Sequence, residues 1–194
     1  MAERADLPSA SDDRRAISIS DVSVALAWNV RGDAGSSAFA ATVQQLLSLA
    51  LPTQPNTSTS ADDAALLLLG PQSWLYVAEA DSPRISFDDA RRSLTAIGGA
   101  LFDVSSSYVG WRVEGAAASR VVNRGCPLDL CEDAFPTGHC AQSAFGHMTV
   151  VVHRPDASRA FIVLASRSYA RDVLHLLQMS ALTEGYDAAA DALR

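Results

Sequence analysis

The sequence predicts an α+β protein of two tandem βαββα modules, each a split-βαβ, ferredoxin-like sheet with its helices on one face. Three observations carry that expectation. The pentapeptide Trp28-Asn29-Val30-Arg31-Gly32 recurs as Trp111-Arg112-Val113-Glu114-Gly115, each copy closing a strand that feeds a helix. The tripeptide Asp-Val-Ser lies upstream of both, at Asp21-Val22-Ser23 and Asp103-Val104-Ser105. The apolar spacing of Phe39, Val43, Leu46 and Leu47 returns as Tyr169, Val173, Leu176 and Leu177. Matched features in the same order mark an internal repeat.

Residues 1–15 (MAERADLPSASDDRR) are too polar to offset the entropy of ordering, and are expected to be a disordered tail, not a secretion signal. The first module spans 16–105. Residues 17–30 (ISISDVSVALAWNV) alternate as one strand. Ser37 opens a helix whose apolar face is Phe39, Val43, Leu46, Leu47 and Ala50. Residues 52–63 (PTQPNTSTSADD) are expected to form a polar, solvated loop. Two short strands follow at 65–69 and 74–78, around the Gly70-Pro71 turn signal. Ser86 caps the next helix with Asp89 at the capping-box position. Its buried stripe is Phe87, Ala90, Leu94 and Ile97, Gly98-Gly99 stops it, and 100–104 returns as a strand.

The second module spans 106–186, ahead of a C-terminal tail at 187–194. Residues 108–114 read as a strand and 116–123 as a short helix closed near Gly125. Residues 141–145 and 147–153 make a hairpin around Gly146, and 159–165 is a strand rich in β-branched residues. The last helix begins near Ser168 and buries Tyr169, Val173, Leu176 and Leu177.

A net charge of −7 leaves no basic surface, so nucleic acid is not an expected partner. All fifteen basic residues are arginine, which removes Schiff-base lysines and the phosphate-binding lysine of a P-loop. An apolar run such as 64–69 is far too short to span a bilayer, and an odd number of cysteines suits a reducing compartment. A cytoplasmic protein without a membrane partner is expected.

All three cysteines lie in residues 124–140 (RGCPLDLCEDAFPTGHC). Zinc needs four converging ligands, usually signalled by Cys-x-x-Cys pairs. Here four residues separate Cys126 from Cys131 and eight separate Cys131 from Cys140. His139 and Cys140 are adjacent, so extended backbone points them to opposite faces. A cysteine nucleophile needs a base within hydrogen-bond reach. His139, His147, His153 and His175 are available, but His147 and His153 share only the face of one predicted strand. A compact buried thiol fits Cys126 and Cys140. Asp88-Asp89 opens a helix, where negative charge favours the macrodipole, and Asp62-Asp63 lies in the polar loop. The dinucleotide fingerprint, the nucleophile elbow and the His-Glu-x-x-His pair do not occur. No residue is assigned a catalytic, cofactor-binding or metal-ligating role.

Gly125-Cys126-Pro127-Leu128-Asp129-Leu130, Phe135-Pro136-x-Gly138 and Cys140-Ala141-Gln142-Ser143 resemble the signature of the gamma subunit of heterotetrameric sarcosine oxidase. So do residues 161–171 (FIVLASRSYAR), and Leu101-Phe102-Asp103-Val104-Ser105 ahead of Trp111 and Gly115. The resemblance covers residues 64–186. It implies a fold similar to the folate-binding domain of aminomethyltransferases. It also implies a non-catalytic role in assembling a complex that oxidatively demethylates sarcosine to glycine. That complex releases hydrogen peroxide and passes the one-carbon unit to tetrahydrofolate. The implied partners are the alpha, beta and delta subunits, which would hold FAD, FMN, NAD, zinc and tetrahydrofolate, leaving no cofactor on this chain. Gly125, Cys126, Pro127, Leu128, Asp129, Pro136 and Gly138 are then structural or interface residues. Cys131 departs from the family pattern, which more often has histidine after Asp-Leu. An alternative is a stand-alone folate-binding protein of the aminomethyltransferase-like superfamily, in one-carbon metabolism or iron–sulfur cluster maturation. Such maturation proteins follow their Gly-Cys with aromatic-x-Gly-Gln, whereas Pro127-Leu128-Asp129 follows here. A third is a free regulatory or scaffolding domain of the same fold.

Overall fold

The computed structural model describes residues 17–61, 63–79, 86–155 and 159–186; the expected tails at 1–15 and 187–194 lie outside them. The first half contains β1 (Ser18–Val22), β2 (Leu26–Arg31), α1 (Ser37–Leu47), β3 (Ser58–Ala61), β4 (Ala64–Gly70), β5 (Ser73–Ala78) and α2 (Phe87–Thr95). The second contains β6 (Ala100–Asp103), β7 (Tyr108–Glu114), α3 (Ala118–Asn123), β8 (Cys140–Phe145), β9 (Met148–His153), β10 (Ala160–Ser166) and α4 (Ala170–Leu182).

These strands form two antiparallel sheets, ordered β3-β4-β5-β2-β6 and β8-β9-β10-β7-β1. The two orders correspond strand for strand. Each repeat runs β-β-α-β-β-β-α, and its first strand crosses to complete the other repeat's sheet. The register makes the correspondence specific. Trp28 of β2 lies opposite Asp103 of β6, and Trp111 of β7 lies opposite Asp21 of β1. Each tryptophan therefore faces the aspartate of the other repeat's Asp-Val-Ser. Leaving aside β3 and β8, each sheet has the strand order of a ferredoxin-like unit.

The strand expected over 17–30 is thus two strands in different sheets. Side-chain alternation continues through Ser23-Val24-Ala25, so periodicity gives no sign of the crossing. Val24 packs between the sheets, and the Ala25 N–H donates to Ala78 O at 2.9 Å. The polar stretch 52–63 also differs from expectation. It contains β3, paired to β4 over Ser58–Leu67 to Ala61–Ala64. An edge strand half in solvent tolerates serine and threonine, so polarity does not exclude it.

The sheets pack face to face, with helices outside, as four layers. Between them lie Ala27, Ala65, Leu67 and Leu75 from one sheet and Cys140, Val151, Ile162 and Leu164 from the other. On the first outer face, Trp28, Leu66, Leu68, Trp74 and Tyr76 meet Phe39, Val43 and Leu47 of α1 and Ala90 and Leu94 of α2. On the second, Val113, Val150, Val152, Phe161 and Val163 meet Val121 and Val122 of α3 and Val173 and Leu177 of α4. Alternate residues of one strand enter different cores, which explains the unbroken run Leu66-Leu67-Leu68-Leu69.

Helix ends follow local chemistry. Ser36 caps α1 by accepting from the Phe39 N–H at 3.3 Å. Ser86 caps α2 by accepting from the Asp89 N–H at 3.2 Å, and its hydroxyl donates to the Asp89 carboxylate at 2.6 Å. Three of the expected face residues are exposed, among them Ala50, which lies past the end of α1 at Leu47. Ile97 lies beyond the last turn of α2, and Tyr169 lies in a 3₁₀ turn preceding α4. Among the described residues no helix is long and apolar enough to cross a membrane.

Candidate functional site

The stretch 124–140 leaves α3, wraps the outer core of the second half and ends at the seam between the sheets. Gly125 begins it because nothing larger fits: a Cβ there would come within 2.6 Å of the Phe145 ring. The Gly125 carbonyl accepts from the Gly146 N–H at 2.8 Å, fixing the turn against the β8–β9 hairpin. Cys126 is buried in the outer core with Sγ 3.4 Å from Ser143 Oγ. Pro127 then directs the chain outward, and the Asn123 side chain donates to the Leu128 carbonyl. The Asp129 carboxylate accepts from the Cys131 N–H at 3.0 Å, which holds its carboxyl below the ordinary range. Leu130 and Phe135 return to the core, while Cys131 between them is exposed.

The end of the stretch is a strap. The Pro136 carbonyl accepts from the His139 N–H at 3.1 Å, closing a turn through Gly138 at φ +81°. The Gly138 carbonyl accepts from both the N–H and the hydroxyl of Ser58, at 2.8 and 2.9 Å. Cys140 N–H donates to Asn56 O at 2.9 Å, and its thiol donates to Thr57 O at 3.2 Å. The segment Asn56-Thr57-Ser58, which sequence polarity left in a loop, is therefore bonded to Gly138-His139-Cys140. Buried His153 lies with Nε2 3.0 Å from Ser58 Oγ, at the same seam.

These environments decide what the thiols do. Cys140 is wholly buried, and desolvation pushes its thiol up to about 12, so it is neutral and unreactive near pH 7. Cys126 lies in the outer core, Cys140 between the sheets and Cys131 on the surface. Among the described residues, no three His, Cys, Asp or Glu side chains converge as metal ligands would. His147, expected on a strand with His153, sits in the hairpin turn. His139 packs its ring 5.8 Å from that of Phe135. Sequence reasoning missed Ser58, which ties the sheets together, and Arg154, whose burial directly after the Val-Val-Val-His strand no local pattern announces.

The geometry defines a class: a four-layer α+β domain of two split-βαβ units, in which the motif residues stitch one unit to the other. The model of the sarcosine oxidase, gamma subunit family matches residues 31–183, and the chain belongs to that family. The match begins well ahead of residue 64, taking in α1 and the strap. The chain is 25% identical over 165 residues to a sarcosine oxidase subunit gamma from Corynebacterium sp. (strain P-1), covering 83% of this chain and 78% of the relative. It is 28% identical over 159 residues to one from Arthrobacter sp., covering 80% and 73%. In structure it is similar to a chain of heterotetrameric sarcosine oxidase from Corynebacterium sp. U-96 (in complex with pyrrole 2-carboxylate). The TM-score is 0.79 at 22% identity, covering 90% of this chain and 88% of that one. It is also similar to glycine cleavage system aminomethyltransferase T from Bartonella henselae, with TM-score 0.60 at 14% identity, over 85% of this chain and 46% of the other. The α+β fold and its likeness to aminomethyltransferases hold as the sequence implied.

Proposed function

We propose that this chain is a non-catalytic, architectural subunit of a cytoplasmic sarcosine oxidase of the heterotetrameric type. Alpha, beta and delta subunits are its partners. FAD, FMN, NAD, zinc and tetrahydrofolate are held by those partners, which carry out the oxidative demethylation of sarcosine. The observation that supports this best is the extent of the family match, which runs from the end of β2 to the end of α4. The motif residues agree with such a role. Gly125 and Gly138 secure turns, Cys126 and Cys140 fill cores, and Asp129 is committed to a backbone N–H. The Cys126 thiol lies against Ser143 Oγ and the Cys140 thiol donates to the Thr57 carbonyl, contacts that suit packing more than nucleophilic or metal chemistry.

Two measurements on the purified chain test it together. Its absorbance spectrum should lack flavin bands and sarcosine should yield no peroxide, while tagged chain should pull down flavin-bearing subunits on co-expression. A yellow, peroxide-producing lone chain, or failure to enter the complex, would overturn the proposal.

A further inference from the structure

Arg154 leaves β9 straight into the protein interior, 5% exposed. A buried guanidinium needs partners for its five donors and for its charge. Here Nη1 donates to the Phe135 carbonyl at 3.0 Å, and the face of the group lies 5.8 Å from the Phe161 ring centroid. Its counter-charge is Glu132, at 3.4 Å from Nη2, and that side chain is 82% exposed. The Nε–H is buried without a hydrogen-bond partner among the described residues. Buried donors in native proteins are nearly always matched, by protein, ordered water or a bound group.

A cavity of about 280 Å³ opens onto this group, walled by Arg159, Ser119, Leu130, Phe161 and Glu132. Arg159 is exposed and makes no ion pair with any described residue. Among the described residues, two guanidinium groups against one carboxylate line the pocket, in a chain of net charge −7. A guanidinium fork matches a carboxylate in two parallel hydrogen bonds, and the Glu132 carboxylate makes only the single 3.4 Å contact to Nη2. Leu130 and Phe161 offer apolar surface beside it. The space has room for a small acid.

We propose that this pocket is a binding site for a small carboxylic acid anion, gripped between Arg154 and Arg159. Glu132 is the internal carboxylate that the ligand displaces. The site is built on the 124–140 stretch, with the Arg154 backbone hydrogen-bonded to Gly138 and His139 of the strap at 2.8 and 2.9 Å, and the proposal does not rest on the role in assembly.

Calorimetric titration of the full chain with propionate tests it, with propionamide as the neutral isostere and chloride at matched ionic strength. Propionate should bind saturably and propionamide should not. Arg159→Gln should weaken propionate about tenfold or more, as expected for loss of a charge-assisted contact. Glu132→Gln should strengthen it by removing the competitor, and Arg92→Gln, on α2, should leave it unchanged. Both pocket variants change exposed side chains, and an unaltered circular dichroism melt would show the fold retained. Equal heats from propionamide, no saturable heat from propionate, or full affinity in Arg159→Gln would overturn the proposal. Tighter binding of inorganic phosphate than of propionate would overturn the carboxylate assignment.

Discussion

The two halves share a strand order but solve the same packing problem with different side chains. In the first, α1 has 11 residues and its core is aromatic, with Trp28 5.8 Å from Tyr76 and 5.5 Å from Phe87 between ring centroids. In the second, the corresponding α3 has 6 residues, and seven valines, against two in the first core, share the interior with Trp111 and three phenylalanines. The long segment after α3 makes up the difference by returning Leu130 and Phe135 to the core. The cysteine-bearing stretch is thus the counterpart of residues 48–57, lengthened where the helix is short. A family signature here marks where the repeats diverged in packing.

The repeated glycine at the end of the pentapeptide makes the same point. A Cβ on Gly32 would lie 2.2 Å from the buried Phe39 ring, whereas Gly115 is required by its φ of +130°. One sequence position serves close approach in one half and backbone conformation in the other.

The comparison breaks most readily at the tryptophans. Trp28→Ala and Trp111→Ala should each destabilise the full chain by about 3–5 kcal/mol in denaturant titration, the larger effect falling on Trp28, which has aromatic neighbours. A loss under about 1 kcal/mol at either residue, below the usual range for a buried tryptophan, would end the equivalence. Next come the glycines. Gly32→Ala should cost about 1–3 kcal/mol through overpacking, and Phe39→Leu in the same chain should recover part of it. Gly115→Ala should cost about 1–3 kcal/mol through strain, and no neighbour substitution should recover it. Rescue of both by trimming side chains would erase the distinction.

Cys140→Ser should cost about 1–3 kcal/mol by placing a hydroxyl in the inter-sheet core, while Cys131→Ser should stay within about 0.5 kcal/mol. Alkylation of the native chain near neutral pH, read by mass spectrometry, should label Cys131 and spare Cys140. The smallest effect concerns Glu184, held below the ordinary glutamate range by hydrogen bonds from Arg120 and Arg124. A lowered folded-state pKa means the contribution is present above the unfolded value and fades as pH falls through the folded one. Glu184→Gln should therefore flatten the acid limb of the stability–pH curve and leave its alkaline limb alone.

Much of this architecture was legible because both sheets are buried on two faces, so strands such as 65–69 and 74–78 stood out as apolar runs. Ser37 and Ser86 marked helix starts, although the residue that caps the first helix is Ser36. The exchange of edge strands was not legible, because alternation runs unbroken through Ser23-Val24-Ala25 while the pairing partner changes. Only the paired Asp-Val-Ser tripeptides held that information. β3 was hidden by its polarity, as edge strands often are. Ile97 and Tyr169 fit their helical spacing but lie just outside the helices, Ile97 past the end of α2 at Thr95 and Tyr169 immediately before α4. Arg154 carried no local signal, since its burial depends on Phe135 and Phe161, far along the chain.

The most direct test of the architectural role is omission. The proposed partner subunits are co-expressed with and without this chain, and flavin content, size and sarcosine-dependent peroxide formation are measured. The account predicts a complete, flavin-loaded and active complex only when the chain is present, with activity unaffected by Cys131→Ser. A complex of full flavin content and full turnover formed without it would contradict the account.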